Sequence, residues 1–316
     1  MSGQLISVVV PLLNEEESLR ELHGRIVSNI PAGYDYEVWF IDDGSTDGSW
    51  GVISELAGLD TKVHGVRLRR NYGKSAALQT GFDHTNGDFV ITMDADLQDD
   101  PAEIPGLIER LNEGLDLVSG WKKVRYDPIT KTVPSRFFNA VTRWVSGIPL
   151  HDFNCGLKAY RRDVVKDVHV YGEMHRYVPL LAHWEGYRRI GEQVVTHHPR
   201  KHGKTKFGLS RFINGFLDLI SIVFINKYLQ RPMHFFGGLG TLFFVVGAFI
   251  TVYLVAMRVF FNEYLSGRPL FILAIFMVVL GVQLFSTGFL AEMMTRNRAR
   301  GNDVNVRETV GNHEQS

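Results

Sequence analysis

At 316 residues the chain is longer than one typical domain needs, so a large domain with an appendage is the natural expectation. Lys+Arg and Asp+Glu number 34 each, and this balance leaves no global field to attract nucleic acid. The one cysteine, Cys155, excludes an internal disulfide framework, fits a reducing compartment and reads as a small buried residue.

The charge is unevenly spread: Met1 to about Tyr187 is charged and mixed, and the chain beyond Leu209 is strongly apolar. No basic start with an apolar signal core opens the sequence, so the first part is expected to stay in the cytosol. Ile6 to Pro11 is predicted as a buried strand. A helix near Glu15 to Asn29 follows, with Leu19, Leu22 and Ile26 on one face and Asn14 with Glu17 as a capping box. Tyr36 to Ile41 is a second strand, leading to a helix with Trp50, Ile53 and Leu56. Val63 to Leu68 is a third strand and Lys74 to His84 a third helix. Phe89 to Met93 is a fourth strand, before a helix opening at Pro101, and Leu115 to Ser119 is a fifth. Strands and helices in alternation predict an α/β domain, mainly parallel and covered on both faces, over residues 1–208.

Phe235 to Met257 and Pro269 to Ala291 each run 23 residues without a charge, and about 20 suffice to cross ~30 Å of hydrocarbon. They predict a two-span hairpin over 233–294. Basic residues lie before the first span at His197 to Lys206 and after the second at Arg296, Arg298 and Arg300. Arg258 and Arg268 sit in the link, and both ends are expected in the cytosol. Over 209–232, Arg211, Asn214, Asp218 and Ser221 form a narrow polar stripe on an otherwise apolar pattern, which suits a helix lying in the membrane interface. Residues 295–316 read as a polar tail, disordered from Gly301 onward.

Ligands of open parallel sheets bind beyond the carboxyl ends of the strands, and three acidic motifs fall there. Pro11-Leu12-Leu13-Asn14-Glu15 follows the first strand, Asp42-Asp43-Gly44-Ser45-Thr46-Asp47 the second and Asp94-Ala95-Asp96 the fourth. Residues two apart on an extended chain share a face, so Asp94 and Asp96 can address one point. Two carboxylates suit Mg²⁺ or Mn²⁺, which complete their shells with water and substrate phosphate. The histidines His197, His198 and His202 lack further ligands at fixed spacing and do not predict a zinc site.

The runs VVVPLLNEEE, DDGSTDGS, NYGKSAALQTGF and DADLQDDP together resemble the family-2 inverting glycosyltransferases of the GT-A fold. SRFFNA, DFNCGLKAYRR, HHPRKHGKTKFG and the two spans look like its polyprenyl-phosphate branch: dolichyl-phosphate mannose synthases and bacterial undecaprenyl-phosphate sugar transferases. The resemblance implies a donor site for a nucleotide-sugar at Pro11, Leu13, Glu15, Asp42, Asp43, Lys74, Asp94, Ala95, Asp96 and Gln98. Within it, Asp94 and Asp96 bind the metal and Lys74 approaches the diphosphate. It implies a lipid-phosphate site at Arg125, Arg136 and Arg200, with Asp152 beside the reacting sugar. Asp96, Asp152 and Arg200 are the residues it implies for catalysis. It favours UDP over GDP, and a donor such as UDP-glucose. Self-association of a membrane hairpin with an interfacial helix is a further expectation. One departure is Gly203-Lys204-Thr205-Lys206, where relatives often carry Gly-x-Ser-Lys; threonine keeps the hydroxyl.

Three rivals fare worse. A polysaccharide synthase usually carries Gln-x-x-Arg-Trp, but Ala140 stands where Arg143-Trp144 requires Gln, and two spans cannot readily enclose a polymer. A silent membrane scaffold predicts degraded acidic motifs, which are intact. A dehydrogenase needs Gly-x-Gly-x-x-Gly after the first strand, which is missing.

Overall fold

A computed structural model describes residues 4–123, 139–144, 146–172, 174–199, 232–261, 269–296 and 306–310. The chain forms two compact units, Met1–Gly215 with Asn302–Ser316, and Phe216–Gly301.

The first unit is built on an eight-stranded sheet. Its strands are β1 (Leu5–Leu12), β2 (Asp35–Asp42), β3 (Val63–Leu68), β4 (Phe89–Thr92), β5 (Leu117–Trp121), β6 (Lys158–Arg161), β7 (Ile190–Val194) and β8 (Val306–Val310). Their order across the sheet is β7-β5-β6-β4-β1-β2-β3-β8. The helices are α1 (Leu19–Ser28), α2 (Ser49–Leu59), α3 (Lys74–His84), α4 (Ile104–Asn112), α5 (Arg162–Asp167) and α6 (Val178–Trp184). Strand alternation sorts β1 between two layers. Ile6, Val8, Val10 and Leu12 join Leu19, Leu22 and Ile26 of α1 and Ile53 and Leu56 of α2 in one core. Val9, on the other side, lies against α3, where a side chain on Gly81 would collide with it.

The sheet is mainly parallel, as expected, with two antiparallel members: β6 between β4 and β5, and β8 beside β3. One feature differs from the sequence expectation. Within the segment read as a disordered tail, Val306–Val310 pairs along β3, with Thr309 opposite Val66 and Glu308 opposite Arg67. A bare edge strand offers unpaired backbone groups, and this one is covered by pairing. The parallel core β3-β2-β1-β4 remains. The chain runs outward from β1 to β3 and then crosses back to β4 on the other side of β1. The β1/β4 boundary is therefore the topological switch point, where a crevice opens beyond the strand ends.

The second unit contains α7 (Pro232–Phe261) and α8 (Pro269–Arg296), both long and apolar enough to cross a membrane. Only 17% and 11% of their apolar windows are buried, the reverse of helices in a soluble core. They pack through small residues: a Cβ on Gly240 would lie 2.7 Å from Gly281 O, and one on Gly281 would lie 2.7 Å from Gly240 O. Such close backbone approach is the usual way helices associate in lipid, where burial alone gives them no reason to meet. The predicted interfacial helix, up to Arg231, falls outside the described residues.

Candidate active site

The crevice at the switch point is an open cleft of about 320 Å³. Pro11, Leu12, Leu13 and Glu15 line it from the end of β1, and Asp43 lines it from the end of β2. Asn71, Gly73, Lys74 and Ala77 come from the start of α3, and Asp94, Ala95 and Asp96 from the end of β4. Eight residues expected to bind the donor thus meet in one place. Leu12, Asn71, Gly73 and Ala77 join them without having been singled out; Asn71 and Gly73 lie in the NYGK run, so their motif was a usable signal.

The loops around the cleft are tied by their acidic residues. Asp42 is fully buried and does not line the cleft: its Oδ1 accepts from the Ser45 amide at 2.7 Å and its Oδ2 pairs with Arg67 Nε at 3.5 Å. Asp43 accepts from the amides of Tyr72 (2.7 Å) and Gly73 (2.9 Å), which fixes the entry to α3. Burial pushes the Asp43 carboxyl above its ordinary range, against the pull of those two amides. Directly after Asp43, Gly44 takes φ +77°, and a Cβ there would lie 2.6 Å from Arg70 C, so only glycine fits. Asn14 does not cap α1. It sits at φ +57°, its Oδ1 accepts from the Thr46 amide at 2.8 Å, and Ser18 holds the cap position. A loop-to-loop bond therefore wins over the local capping box.

Asp94 is the electrostatic centre. Lys74 Nζ is ion-paired to its Oδ1. Burial pushes the Asp94 carboxyl upward, but Lys74, Lys122 and His175 outweigh it and bring the pKa down to about 2. Gly156 passes so close that a Cβ would lie 2.7 Å from the Asp94 carboxyl carbon, and its carbonyl accepts from Thr92 Oγ1 at 2.9 Å. Asp96 accepts from the Gln98 amide at 3.2 Å, which is where Gln98 meets the pair; its side chain is not among the cleft's walls.

Asp152 is 1% exposed and does not line the cleft. Its Oδ1 accepts from the Asn154 amide at 3.0 Å and its carbonyl from Ser119 Oγ at 3.2 Å, so it shapes the turn leading to Gly156. Cys155 is buried, and that burial pushes its thiol up to about 12, as suits a packing residue rather than a nucleophile. Arg125, Arg136 and Arg200 lie outside the described residues.

Sequence reasoning missed two basic groups beside Asp94, the buried Lys158 and the half-buried His175. Lys158 donates to Cys155 O, and burial lowers its pKa. His175, whose backbone amide donates to Ser75 Oγ at 3.0 Å, is pushed down to about 2 by burial, with Lys74 and Arg176 adding to the effect. Neither carries a local signal, since burial of a lysine or histidine depends on elements far away in the chain.

The chemistry of the donors fits a hard divalent cation. Asp94 and Asp96 present carboxylate oxygens to one cleft, and the Lys74 ammonium already stands as a cation against the first. Among the described residues no group of three or more His, Cys, Asp or Glu gathers to hold a metal. Two carboxylates leave the rest of the shell to water and phosphate, as Mg²⁺ and Mn²⁺ prefer.

The sheet, with a cleft and its acidic pair at the switch point, has the architecture of the GT-A fold. Residues 7–169 match glycosyl transferase family 2, and the chain belongs to that family. A dodecaprenyl-phosphate galacturonate synthase of Rhizobium johnstonii is 38% identical over 300 residues, covering 93% of this chain and 89% of that protein. An undecaprenyl-phosphate 4-deoxy-4-formamido-L-arabinose transferase of Pseudomonas aeruginosa is 36% identical, covering 92% and 85%. Among solved structures, glucosyl-3-phosphoglycerate synthase of Mycobacterium tuberculosis with Mn²⁺, UDP-glucose and phosphoglyceric acid superposes with a TM-score of 0.53. It is 22% identical and the match covers 70% of this chain and 79% of that one, a likeness of fold.

Proposed function

We propose that this chain transfers a sugar from a nucleotide-sugar to a polyprenyl phosphate, with inversion at the anomeric carbon. The observation that carries the reading is the convergence of Asp94, Asp96 and Lys74 in one cleft, in a chain that also has two apolar helices. The two relatives named above, whose names specify polyprenyl-phosphate products or acceptors, support it.

Pro11, Leu13, Glu15 and Asp43 hold the nucleoside, with Asp42 bracing the loop from below. Asp94 and Asp96 would hold Mg²⁺ or Mn²⁺, which would supply positive charge to a departing diphosphate. Lys74, paired with Asp94 in the cleft, is placed to approach the diphosphate. The acceptor is a phosphate monoester whose second pKa lies near 6, so at neutral pH it is largely a dianion and already nucleophilic. One of its oxygens bonds to the anomeric carbon while the bond from that carbon to the diphosphate breaks. The electron pair leaves with the nucleoside diphosphate and no proton moves. No general base is needed, and the buried Asp152 orients the Asn154–Gly156 turn instead. Arg125, Arg136 and Arg200 receive the lipid phosphate, since a planar guanidinium suits phosphate better than a point charge. The reaction takes place at the cytoplasmic face of a membrane, where both chain termini lie, in a homo-oligomer.

UDP is the favoured nucleotide, with glucose, galacturonate and formamido-arabinose the sugars to compare. The test is transfer by purified protein, with Mn²⁺ and undecaprenyl phosphate, across a panel of UDP-sugars. One donor turning over, with loss of transfer on chelation, supports the reading; a wild-type protein that transfers none of them defeats it.

A further inference from the structure

Between Asp96 and Asp100 the backbone makes a turn that leucine disfavours. Leu97 takes φ +59° with its side chain buried. A left-handed conformation is costly for such a residue and persists only where its surroundings over-determine it. Two sets of contacts flank the turn. On one side Asp99, whose side chain is 0% exposed, pairs with Lys122 Nζ at 2.6 Å, directly after the end of β5. On the other side the His198 amide donates to Gln98 O at 2.9 Å, and Asp99 and His197 form an antiparallel bridge. The second set is backbone pairing and survives most side-chain changes. The first is a single buried ion pair, and a buried carboxylate that loses its counter-charge is strongly unfavourable. Burial alone would lower the Lys122 ammonium, but Asp99 outweighs it and raises the group, so Lys122 stays charged.

We propose that Lys122 is a positioning residue for the two cleft carboxylates. Its ion pair with Asp99 holds the Leu97 turn in its left-handed form and keeps Asp94 and Asp96 aimed at one point. The inference rests on the reading of those carboxylates as the cation-holding pair. Lys122 acts on the turn through Asp99, and its charge also bears on Asp94.

The test compares wild type with Lys122→Met, Lys122→Arg and the neutral pair Lys122→Met/Asp99→Asn. Mn²⁺-dependent binding of UDP is read by calorimetry, and amide hydrogen exchange is read over residues 95–100. Lys122→Met weakens Mn²⁺-dependent UDP binding about tenfold, the low end for loss of a residue that orients a metal ligand. It also speeds exchange across the turn and leaves β1 unchanged. Lys122→Arg restores most of both, and the neutral pair recovers part, since it leaves no charge buried alone. Should Lys122→Met fail to fold, the arginine variant and the neutral pair carry the same comparison. A folded Lys122→Met with wild-type binding and exchange overturns the proposal. So does a neutral pair as impaired as the single variant, which would place Lys122 directly on the ligand. A wild type that binds Mn²⁺ and UDP but transfers no sugar sinks the proposed function and leaves the role of the Lys122–Asp99 pair standing. A wild type with no Mn²⁺-dependent binding sinks both.

Discussion

In the α/β unit Ile6, Val8, Val10 and Phe40 are fully buried, whereas along α7 Phe249, Val252 and Val259 are 74%, 67% and 68% exposed. Residues of the same type meet opposite fates because the two units answer to different solvents. In water, removing apolar surface drives the fold; in hydrocarbon that drive vanishes and close backbone packing takes over. Glycine shows the contrast as well. Gly156 makes room for the Asp94 carboxylate, while Gly240 and Gly281 make room for each other's helix.

The sharpest way to break this comparison is to truncate one aromatic in each unit. Phe40→Ala should destabilise the α/β unit by about 3–5 kcal/mol, through lost burial and the cavity left behind. Phe249→Ala should change stability by under about 1 kcal/mol in a bilayer, since its exposed side faces apolar solvent either way. Chemical unfolding in nanodiscs reads both, and equal losses would show that α7 is a buried core helix. The second effect is chemical. Asp96→Ala should lower sugar transfer roughly 10³-fold, as loss of several kcal/mol of charge stabilisation implies, with thermal unfolding unchanged. Retained activity would remove Asp96 from the metal site.

Gly281→Leu should cost about 1–3 kcal/mol by forcing α7 and α8 apart, with Mn²⁺-dependent UDP binding intact. Helix–helix crosslinking and calorimetry read the two halves of that statement. The smallest effect is on pH dependence. The Asp94 pKa of about 2 lies below its ordinary 3.8, so the group adds stability above pH about 4 that is lost as pH falls toward 2. Wild type should therefore lose thermal stability over that window more steeply than Asp94→Asn. Parallel curves would show that the Lys74 pair contributes nothing to the fold.

Much of the parallel core was readable because its signals are local. β3 and α3 match their predicted bounds, Val63 to Leu68 and Lys74 to His84, since short β-branched runs and a glycine-led helix start need no distant partner. The acidic motifs were readable for the same reason, standing at strand ends. What escaped depends on partners far along the chain. Asn14 is claimed by Thr46, 32 residues away, rather than by its own helix. Lys158 sits in β6, whose antiparallel insertion between β4 and β5 no periodicity announces. Lys122 carries no local signal, because its partner Asp99 becomes buried only when β5 and the turn after β4 come together. The Val306–Val310 strand is five residues of mixed polarity, too short to stand out until β3 offers it an edge.

That strand sets a timetable for biogenesis. A ribosome reaches Val306 only after both apolar helices have been made, so β3 waits with one edge open through the whole of membrane insertion. Until then the nascent sheet is a ready template for misplaced strands, and the pairing of Val306–Val310 along β3 closes that edge.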